Sequence, residues 1–281
     1  MSSPAFVVVG HVVRDVVPDG WRPGGTATYA STQAQRLGLP VGVVTHVGRD
    51  MDLESALPGV EIVGARSDDS TSFQNEYENG KRKQRVLSHA DAIALDDVPV
   101  EWRAAPLVLL GPVCGEVPPG IGCAFSGEIV AVAAQGWLRR VDAQQRVRKW
   151  AWQGTPFWAS CRVLFVSDED FGQRRDQLER WCKEVPIVVL TRNRRGARVH
   201  ANGTWRSIDA FPAEEVDPTG AGDVFAAAFM VHFHETDDIA EAMRFAAAAS
   251  ACAIEARGTE SIAERERIEE RIAQHPEVVL R

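Results

Sequence analysis

The chain has 281 residues, of which 25% are charged and 45% hydrophobic, a composition typical of soluble globular proteins. Its 31 basic and 39 acidic side chains give a formal net charge of −8, which disfavours nucleic acid or an anionic membrane as the main partner. No apolar run approaches the ~18 residues that span a bilayer, and residues 1–10 lack the basic start and the apolar length of a signal peptide. We therefore expect a cytoplasmic protein that binds neither nucleic acid nor membranes.

Short, continuous apolar runs predict buried strands of a parallel sheet. These runs are Phe6–Val9, Val41–Val47, Leu107–Leu110, Ile129–Ala133, Val163–Ser167 and Ile187–Leu190. Helical patterns occur at Thr26–Leu37, Glu169–Lys183, Gly222–His232 and Ile239–Ala256, and a charged helix is predicted within Glu260–Arg281. Strands that alternate with helices predict a doubly wound α/β fold. Since the sequence contains no repeat or linker, residues 1–281 are predicted to form one domain.

A polar segment interrupts this alternation at about residues 70–87. Its Asn79-Gly80 dipeptide is a strong signal for a two-residue hairpin turn, and a polar hairpin cannot lie inside a parallel core. The segment is therefore predicted to project as a lid, with three residues on one face of its first strand: Phe73, Asn75 and Tyr77. We expect the two aromatic residues to contact or shield a substrate, because such a hairpin has no core of its own. The alternative is a solvated surface ribbon.

The most informative motif is Val216-Asp217-Pro218-Thr219-Gly220-Ala221-Gly222-Asp223, which is followed by an apolar helical run. Two glycines at a helix N-terminus leave backbone N–H groups that can bind an anion such as a phosphate. The two carboxylates suggest further chemistry, because one can hold a metal or its waters and the other can accept a hydroxyl proton. The alternative for Asp223 is a helix cap without a catalytic role.

This string resembles the C-terminal signature of the PfkB/ribokinase family of carbohydrate kinases, from which it departs at Pro218-Thr219. The resemblance implies a ribokinase-like three-layer α/β/α sandwich with a mostly parallel sheet and a small β-hairpin lid. It also implies roles for the motif residues. Asp223 would be the catalytic base, Gly220, Ala221 and Gly222 would form the anion hole, and Asp217 would lie near the metal and the phosphates.

Further segments resemble the same family in the same order. Gly10–Asp15 resembles the first strand and the turn that offers Asp15 to substrate hydroxyls, and Gly24-Gly25 resembles the diglycine beside the sugar. The loop Thr191–Gly196 resembles the nucleotide loop, with Asn193 where the family has its first glycine. The nucleotide-binding residues implied by the resemblance are Thr191, Gly196, Thr219, Gly220 and Gly222.

Several departures from the common pattern are similar to an inositol-kinase-like branch of the family. Tyr29 follows the diglycine where many members have Asn, and Ser167-Asp168-Glu169-Asp170 replaces the usual Asn-x-x-Glu element. The string Gln135–Arg139 and the lid pattern are also similar to that branch. The resemblance implies that Gln135, Arg139, Gly24, Gly25 and the lid residues bind substrate. It further implies that Asp170, Glu169 and Asp217 serve a metal, mainly through water.

The sequence therefore predicts an ATP-dependent kinase of a small sugar or polyol, with Mg²⁺ as cofactor. A monovalent cation near Gly258 is implied by the resemblance alone, and the protein is expected to be a monomer or a homodimer through the lid. Two alternatives remain. A nucleoside kinase would use the same machinery with a larger acceptor pocket. A non-catalytic sugar-binding regulator would lose the base or the anion hole, whereas Asp223, Gly220 and Gly222 are all present.

Overall fold

The computed structural model describes residues 3–78, 81–152, 160–171 and 175–281, with side chains described except at 76–78, 81, 82 and 175. The strands are β1 Phe6–Val9, β2 Val13–Val17, β3 Gly20–Gly24, β4 Val41–Val44, β5 Val47–Gly48, β6 Glu61–Val63, β7 Arg66–Ser67, β8 Ser72–Glu78, β9 Lys81–Ser88, β10 Leu107–Leu110, β11 Ile129–Ala133, β12 Arg139–Val141, β13 Val147–Lys149, β14 Val163–Ser167, β15 Ile187–Thr191, β16 Ala197–Ala201 and β17 Thr204–Ile208. The helices are α1 Gly25–Arg36, α2 Leu53–Ala56, α3 Asp168–Phe171, α4 Arg175–Glu184, α5 Ala221–Thr236, α6 Ile239–Ala253 and α7 Arg265–Gln274. Within the described ranges, no helix is both long and apolar enough to cross a membrane.

A nine-stranded sheet forms the centre of the fold, in the order β17-β16-β15-β14-β11-β10-β1-β4-β6. The seven strands from β15 to β6 pair in parallel, and β16 and β17 add an antiparallel edge. Parallel strands place their carboxyl ends at one edge, where open α/β sheets bind ligands. The sheet order therefore fixes the edge at which a site is expected.

The predicted parallel strands are confirmed, with small changes at their ends. The run predicted at Ile187–Leu190 extends to Thr191, and the run at Val41–Val47 ends at Val44 before the short strand β5. The helical pattern at Glu169–Lys183 corresponds to two described helices, α3 and α4. The charged tail forms α7, which is shorter than the segment predicted.

Two hydrophobic cores cover the two faces of the sheet. Along β1, Phe6 and Val8 belong to the core shared with α1, α5 and α6, whereas Val7 and Val9 belong to the opposite core. This alternation is expected of a strand buried on both faces. Helix α5 is apolar almost all round and is buried from Val224 to Val231, because it packs against the sheet, α1 and α6. The result is the predicted three-layer α/β/α sandwich.

The lid is a separate sheet rather than a lone hairpin. Its four strands lie in the order β3-β2-β8-β9, so the predicted hairpin, β8 with β9, pairs with two strands that the sequence did not reveal. Strand β2 pairs in parallel with β8 and antiparallel with β3. The predicted turn Asn79-Gly80 lies outside the described residues. The prediction that this segment lies outside the central sheet is confirmed.

A buried histidine holds both ends of the lid hairpin to the central sheet. The Nε2 atom of His11 lies 2.9 Å from the carbonyl oxygen of Asp91, and its Nδ1 atom lies 2.8 Å from Oγ1 of Thr71. Because a carbonyl only accepts, Nε2 carries the proton and the Thr71 hydroxyl donates to Nδ1. Burial lowers the pKa of His11, which keeps its imidazole neutral. Thr71 and Asp91 flank β8 and β9, so this contact fixes where the lid leaves the sheet.

Candidate active site

The candidate site lies at the carboxyl edge of the central sheet, beneath the lid. Helix α1 starts at Gly25 after the lid strand β3, α3 starts directly after β14, and α5 starts at Ala221. Each start brings polar residues of a predicted motif to this edge. The site is thus assembled from segments that are far apart in the sequence.

Asp223 lies in the first turn of α5 and is held by a hydrogen bond from a neighbouring helix. The hydroxyl of Thr26, the second residue of α1, donates to Oδ1 of Asp223 at 2.7 Å. The pKa of Asp223 is raised to about 6, mainly by burial and to a smaller extent by the carboxylates of Asp170 and Asp15, against the lowering effects of the Thr26 hydrogen bond and the charge of Arg139. A carboxylate with such a pKa is suited to accept a proton near neutral pH. Thr26 was not among the predicted site residues, although it directly follows the diglycine.

A buried ion pair lies beside this carboxylate. The Nη2 and Nε atoms of Arg139 donate to Oδ1 of Asp170 at 2.8 and 3.0 Å, and the two side chains are only 11% and 13% exposed. The Nη2 atom also donates to Oε1 of Gln135 at 2.6 Å. The predicted substrate residues Gln135 and Arg139 are therefore in contact, and Arg139 partly neutralises the acidic cluster around Asp223.

The face of the lid that covers the site carries polar side chains. Asp15 pairs with Phe73, and Asn75 pairs with Gln84, in the register of the lid sheet. Side chains in register lie on one face, and the Oε1 atom of Gln84 accepts a hydrogen bond from Nη1 of Arg139 at 3.1 Å. This contact shows that the face points toward the site. Gln84 was missed because it stands in a run of basic residues that reads as a solvated ribbon.

Two expectations about the lid need correction. The segment Gly10–Asp15, which resembles the first strand and turn of the family, does not belong to the first strand of the central sheet: that strand ends at Val9, and Asp15 lies in the lid strand β2. Its carboxylate nevertheless reaches the diglycine, since a Cβ atom on Gly24 would overlap it. Phe73 is 3% exposed and packs with Val13, Val86 and Val113 in a small separate core. The lid therefore has a core of its own, contrary to expectation, and the side chain of Tyr77 lies outside the described residues.

The glycine motif presents unpaired backbone amides at the start of α5. The Ala221 amide donates to the Pro218 carbonyl at 3.3 Å, so it serves the turn rather than an anion. The amides of Gly220 and Gly222 have no hydrogen-bond partner within the part of the chain that is described. Both lie at the positive end of a 16-residue helix. These two amides, rather than the predicted three, are available to a phosphate.

The predicted nucleotide loop forms a tight turn at the end of β15. Asn193 has φ +50°, so it adopts the left-handed conformation that suits the glycine expected there. Gly196 closes the turn by donating its amide to the Asn193 carbonyl at 2.9 Å. The Thr191 hydroxyl lies 3.4 Å from the Val166 carbonyl, within the sheet. The loop is thus next to β14 and its acidic extension.

Each carboxylate predicted to serve a metal has a protein partner. Oε1 of Glu169 accepts from Asn193 at 2.8 Å, Oδ1 of Asp217 accepts the Thr219 amide at 3.0 Å, and Oδ1 of Asp170 is taken by Arg139. No group of three or more potential ligands is found among the described residues. Each contact uses one carboxylate oxygen, so the other oxygen can still bind water. A role through water stays a prediction.

The raised pKa of Asp223 predicts an acid limb in the pH profile. Below about 6 its carboxyl becomes protonated and cannot accept a proton, so kcat/KM is expected to fall about tenfold per pH unit there and to level off above. The measurement is kcat/KM for the best acceptor from about pH 4 to 8. A limb near 3.8, the ordinary value for Asp, would show that burial does not control this group.

Solved structures with the same fold are kinases. A pyrophosphate-dependent kinase in the ribokinase family, complexed with a pyrophosphate analog and myo-inositol, superposes with a TM-score of 0.77 at 23% identity, covering 94% of this chain and 99% of that one. Arabidopsis thaliana ribokinase, complexed with ribose and ATP, gives a TM-score of 0.73 at 20% identity, covering 96% and 99%. At these identities the likeness establishes the ribokinase fold.

Relatives in sequence extend the comparison from the fold to the family. Cytidine kinase of Thermococcus kodakarensis is 27% identical over 262 residues, which cover 85% of this chain and 92% of that protein. Inositol 3-kinase of Oryza sativa subsp. japonica is 30% identical over 249 residues, which cover 79% of this chain and 61% of that protein. Residues 159–266 match the model of the pfkB family carbohydrate kinases.

The fold, the family match and the relatives in sequence support a phosphotransferase of the ribokinase fold. The family match spans the glycine motif and Asp223, and the two relatives extend the similarity over most of the chain. Together these findings support a carbohydrate kinase of the PfkB family.

Proposed function

We propose that this protein transfers a phosphoryl group from ATP to a hydroxyl of a small sugar or polyol. The observation that carries the proposal is the position of Asp223. Its half-buried carboxylate is hydrogen-bonded to Thr26 and lies in the same helical turn as the unpaired amide of Gly222. A proton acceptor and an anion site are thus within one turn of each other, as an attack by a hydroxyl on a phosphate requires.

Each residue of the site has a separate role in the proposed phosphoryl transfer. The acceptor hydroxyl attacks the terminal phosphorus of the donor and gives its proton to Asp223, while the bond from phosphorus to the leaving oxygen breaks. The amides of Gly220 and Gly222 stabilise charge on the transferring group. Asp15, on the lid face, accepts hydrogen bonds from other hydroxyls of the acceptor. The lid excludes water, which would otherwise compete as the acceptor.

The donor side of the site suits a polyphosphate. Gly222 has open space where a Cβ would lie, so a phosphate can approach its amide. Mg²⁺ bound with the donor supplies neutralisation of phosphate charge, and it usually keeps several waters and few protein ligands. The free oxygens of Asp170, Glu169 and Asp217 would hold it through such waters. ATP is the donor implied by the family resemblance and bound in the Arabidopsis thaliana ribokinase structure.

Pyrophosphate is a second candidate donor. The ribokinase-family kinase complexed with a pyrophosphate analog and myo-inositol has a TM-score of 0.77 with this chain. The loop after β15 is also rich in arginine, with Arg192, Arg194 and Arg195, and it contacts Asp168 and Glu169. In the structure Arg194 and Arg195 form ion pairs with Glu215 and Asp168, so these charges are already partly compensated.

The acceptor is proposed to be a polyol of the inositol type. The inositol 3-kinase of Oryza sativa subsp. japonica is a relative at 30% identity. Three carboxylates and one arginine that interact electrostatically with one another can bind many hydroxyls at once: Asp15, Asp170, Asp223 and Arg139. A nucleoside is the alternative, which the similarity to cytidine kinase favours.

Product formation across a matched panel tests donor and acceptor together. Inositols, pentoses, hexoses and nucleosides are each incubated with ATP and with pyrophosphate, and phosphorylated acceptor is measured directly. We expect turnover of an inositol with ATP to exceed that of the nucleosides by at least about tenfold, since a site built for hydroxyls rejects analogues that lack them. Preferred turnover of cytidine would contradict the proposed acceptor, and preferred use of pyrophosphate would contradict the proposed donor.

Replacing Asp15 by asparagine should weaken acceptor binding. Asn keeps the size of the side chain but removes its charge, and a hydrogen bond to a charged group corresponds to about a 10- to 100-fold effect. We therefore expect the acceptor KM to rise by about that factor while the donor KM stays level. The matched control is Asp19→Asn, in the exposed turn between β2 and β3. Equal rises in the donor and acceptor KM values would show that Asp15 is structural.

A further inference from the structure

The guanidinium of Arg139 connects the floor of the site to the lid. Its described hydrogen bonds use four of the five N–H groups: two reach Asp170, one reaches Gln135 and one reaches Gln84. Asp170 and Gln135 follow strands of the central sheet, whereas Gln84 belongs to the lid strand β9. Only the last of these contacts therefore depends on the position of the lid.

We propose that Gln84 is a positioning residue that fastens the closed lid to Arg139 and thereby fixes the guanidinium beside the acceptor. This inference rests on the proposed function for the identity of the acceptor, and on the structure alone for the contact. Closing the lid brings Oε1 of Gln84 to Nη1 of Arg139, at 3.1 Å. The guanidinium, which keeps one N–H on Nη1 outside these four hydrogen bonds, is then held in one orientation near Asp223.

The neutrality of Gln84 fits this role. Arg139 is the cation that lowers the pKa of Asp223, while Asp15 and Asp170 both raise it. A neutral amide oxygen accepts from Arg139 without adding another negative charge to this acidic cluster. Its nearest lid neighbours on β9, Lys83 and Arg85, are cations that cannot accept a hydrogen bond. Gln84 is therefore the residue of this stretch that can hold the guanidinium.

The test compares two matched substitutions in one hairpin. Gln84→Met removes the accepting oxygen at nearly constant length. Gln74→Met makes the same chemical change on β8, where Gln74 alternates with Phe73 and Asn75 and so lies on the opposite face of the lid sheet. Gln84→Glu is the rescue variant, because it restores an accepting oxygen. Thermal melting of all three proteins controls for folding.

Hydrogen exchange of the lid amides in the intact protein is the decisive readout, because it needs no substrate. We expect exchange in β8 and β9 to accelerate about tenfold in Gln84→Met, as loss of a hydrogen bond to a charged group allows. Gln74→Met and Gln84→Glu should keep wild-type protection. In the presence of donor and the best acceptor, Gln84→Met should raise the acceptor KM about tenfold and raise donor hydrolysis without acceptor, while kcat changes less than about threefold.

The outcomes separate this inference from the proposed function. If lid exchange is faster in Gln84→Met and in neither of the other variants, the contact is supported. This holds even if no sugar or polyol is phosphorylated, a result that would contradict only the proposed function. Exchange equal to that of Gln74→Met overturns the inference while leaving the proposed function intact. A raised acceptor KM with unchanged exchange also overturns it, since Gln84 would then contact the acceptor rather than hold the lid.

Discussion

Replacing Asp223 by asparagine is expected to lower kcat by about 10²- to 10⁴-fold, the usual contribution of a positioned general base. The substitution keeps the shape of the side chain and leaves an oxygen to accept the Thr26 hydroxyl. It removes the group that takes the proton from the attacking hydroxyl. Donor and acceptor KM values should change little, because the lost interaction is made only in the transition state. Steady-state kinetics on the best acceptor measure all three constants.

The alternative, that Asp223 only stabilises the start of α5, predicts a different result. Asp223 is the third residue of α5, and Glu241 is the third residue of α6, so Glu241→Gln is a matched control at an exposed position. If Asp223 acts only on its helix, both variants lose similar stability and keep their turnover. Burial raises the pKa of Asp223, so its charge is disfavoured in the folded state, and Asp223→Asn should not lower the melting temperature at neutral pH. Retention of more than about a tenth of wild-type kcat would contradict the proposed mechanism.

The parallel sheet could be predicted because its strands are buried on both faces. Such strands are continuous apolar runs, like Leu107–Leu110 and Ile129–Ala133, and their ends in the structure coincide with the predicted ends. The antiparallel edge was missed, although Ala197–Ala201 alternates buried and half-buried residues along the strand. With His200 and Arg198 between the apolar positions, that pattern looks like a polar loop unless a partner strand is known.

The catalytic motif could be predicted because its residues are consecutive in the sequence. The string from Asp217 to Asp223 contains the turn, the glycines and the carboxylate together, and the structure places it at a helix start as predicted. The partners of Asp223 could not be found in this way. Thr26 and Arg139 are distant in sequence, and only the packing of α1 and the hairpin of β12 and β13 brings them close.

The lid shows why burial is difficult to infer for an inserted element. Phe73 was expected to face the substrate because the hairpin alone offers no core. In the structure, β2 adds Val13, and the loop after β10 adds Val113, so that the ring is covered. Val13 and Val113 both lie in short apolar stretches, which the sequence alone assigns to the central sheet or to its loops. The role of the lid in shielding the acceptor now depends on Asp15, Asn75 and Gln84.

Replacing Gly220 by alanine is expected to abolish most activity, for a reason that can be separated from backbone strain. Gly220 has φ +77°, and a Cβ at this position would overlap the ring of Tyr29, which is buried. Accommodating the methyl group requires the loop or the ring to move, which displaces the unpaired amides of Gly220 and Gly222. Loss of one such donor costs about 10²- to 10³-fold in kcat, and we expect a loss of at least that size.

The matched control is Gly203→Ala, in the turn between β16 and β17. Gly203 has φ +76°, but a Cβ there would have no neighbour within 4 Å. Both substitutions therefore impose the same backbone strain, about 1–2 kcal/mol, and only Gly220→Ala adds the collision. We expect Gly203→Ala to lower the free energy of unfolding by about that amount with full kcat, and Gly220→Ala to be less stable than this control.

Adding Tyr29→Ala to Gly220→Ala should then cost less stability than the two single changes predict together, as expected for residues in contact. Equal stability and equal kcat in the two glycine variants would show that the packing of Tyr29 against Gly220 does not hold the anion site.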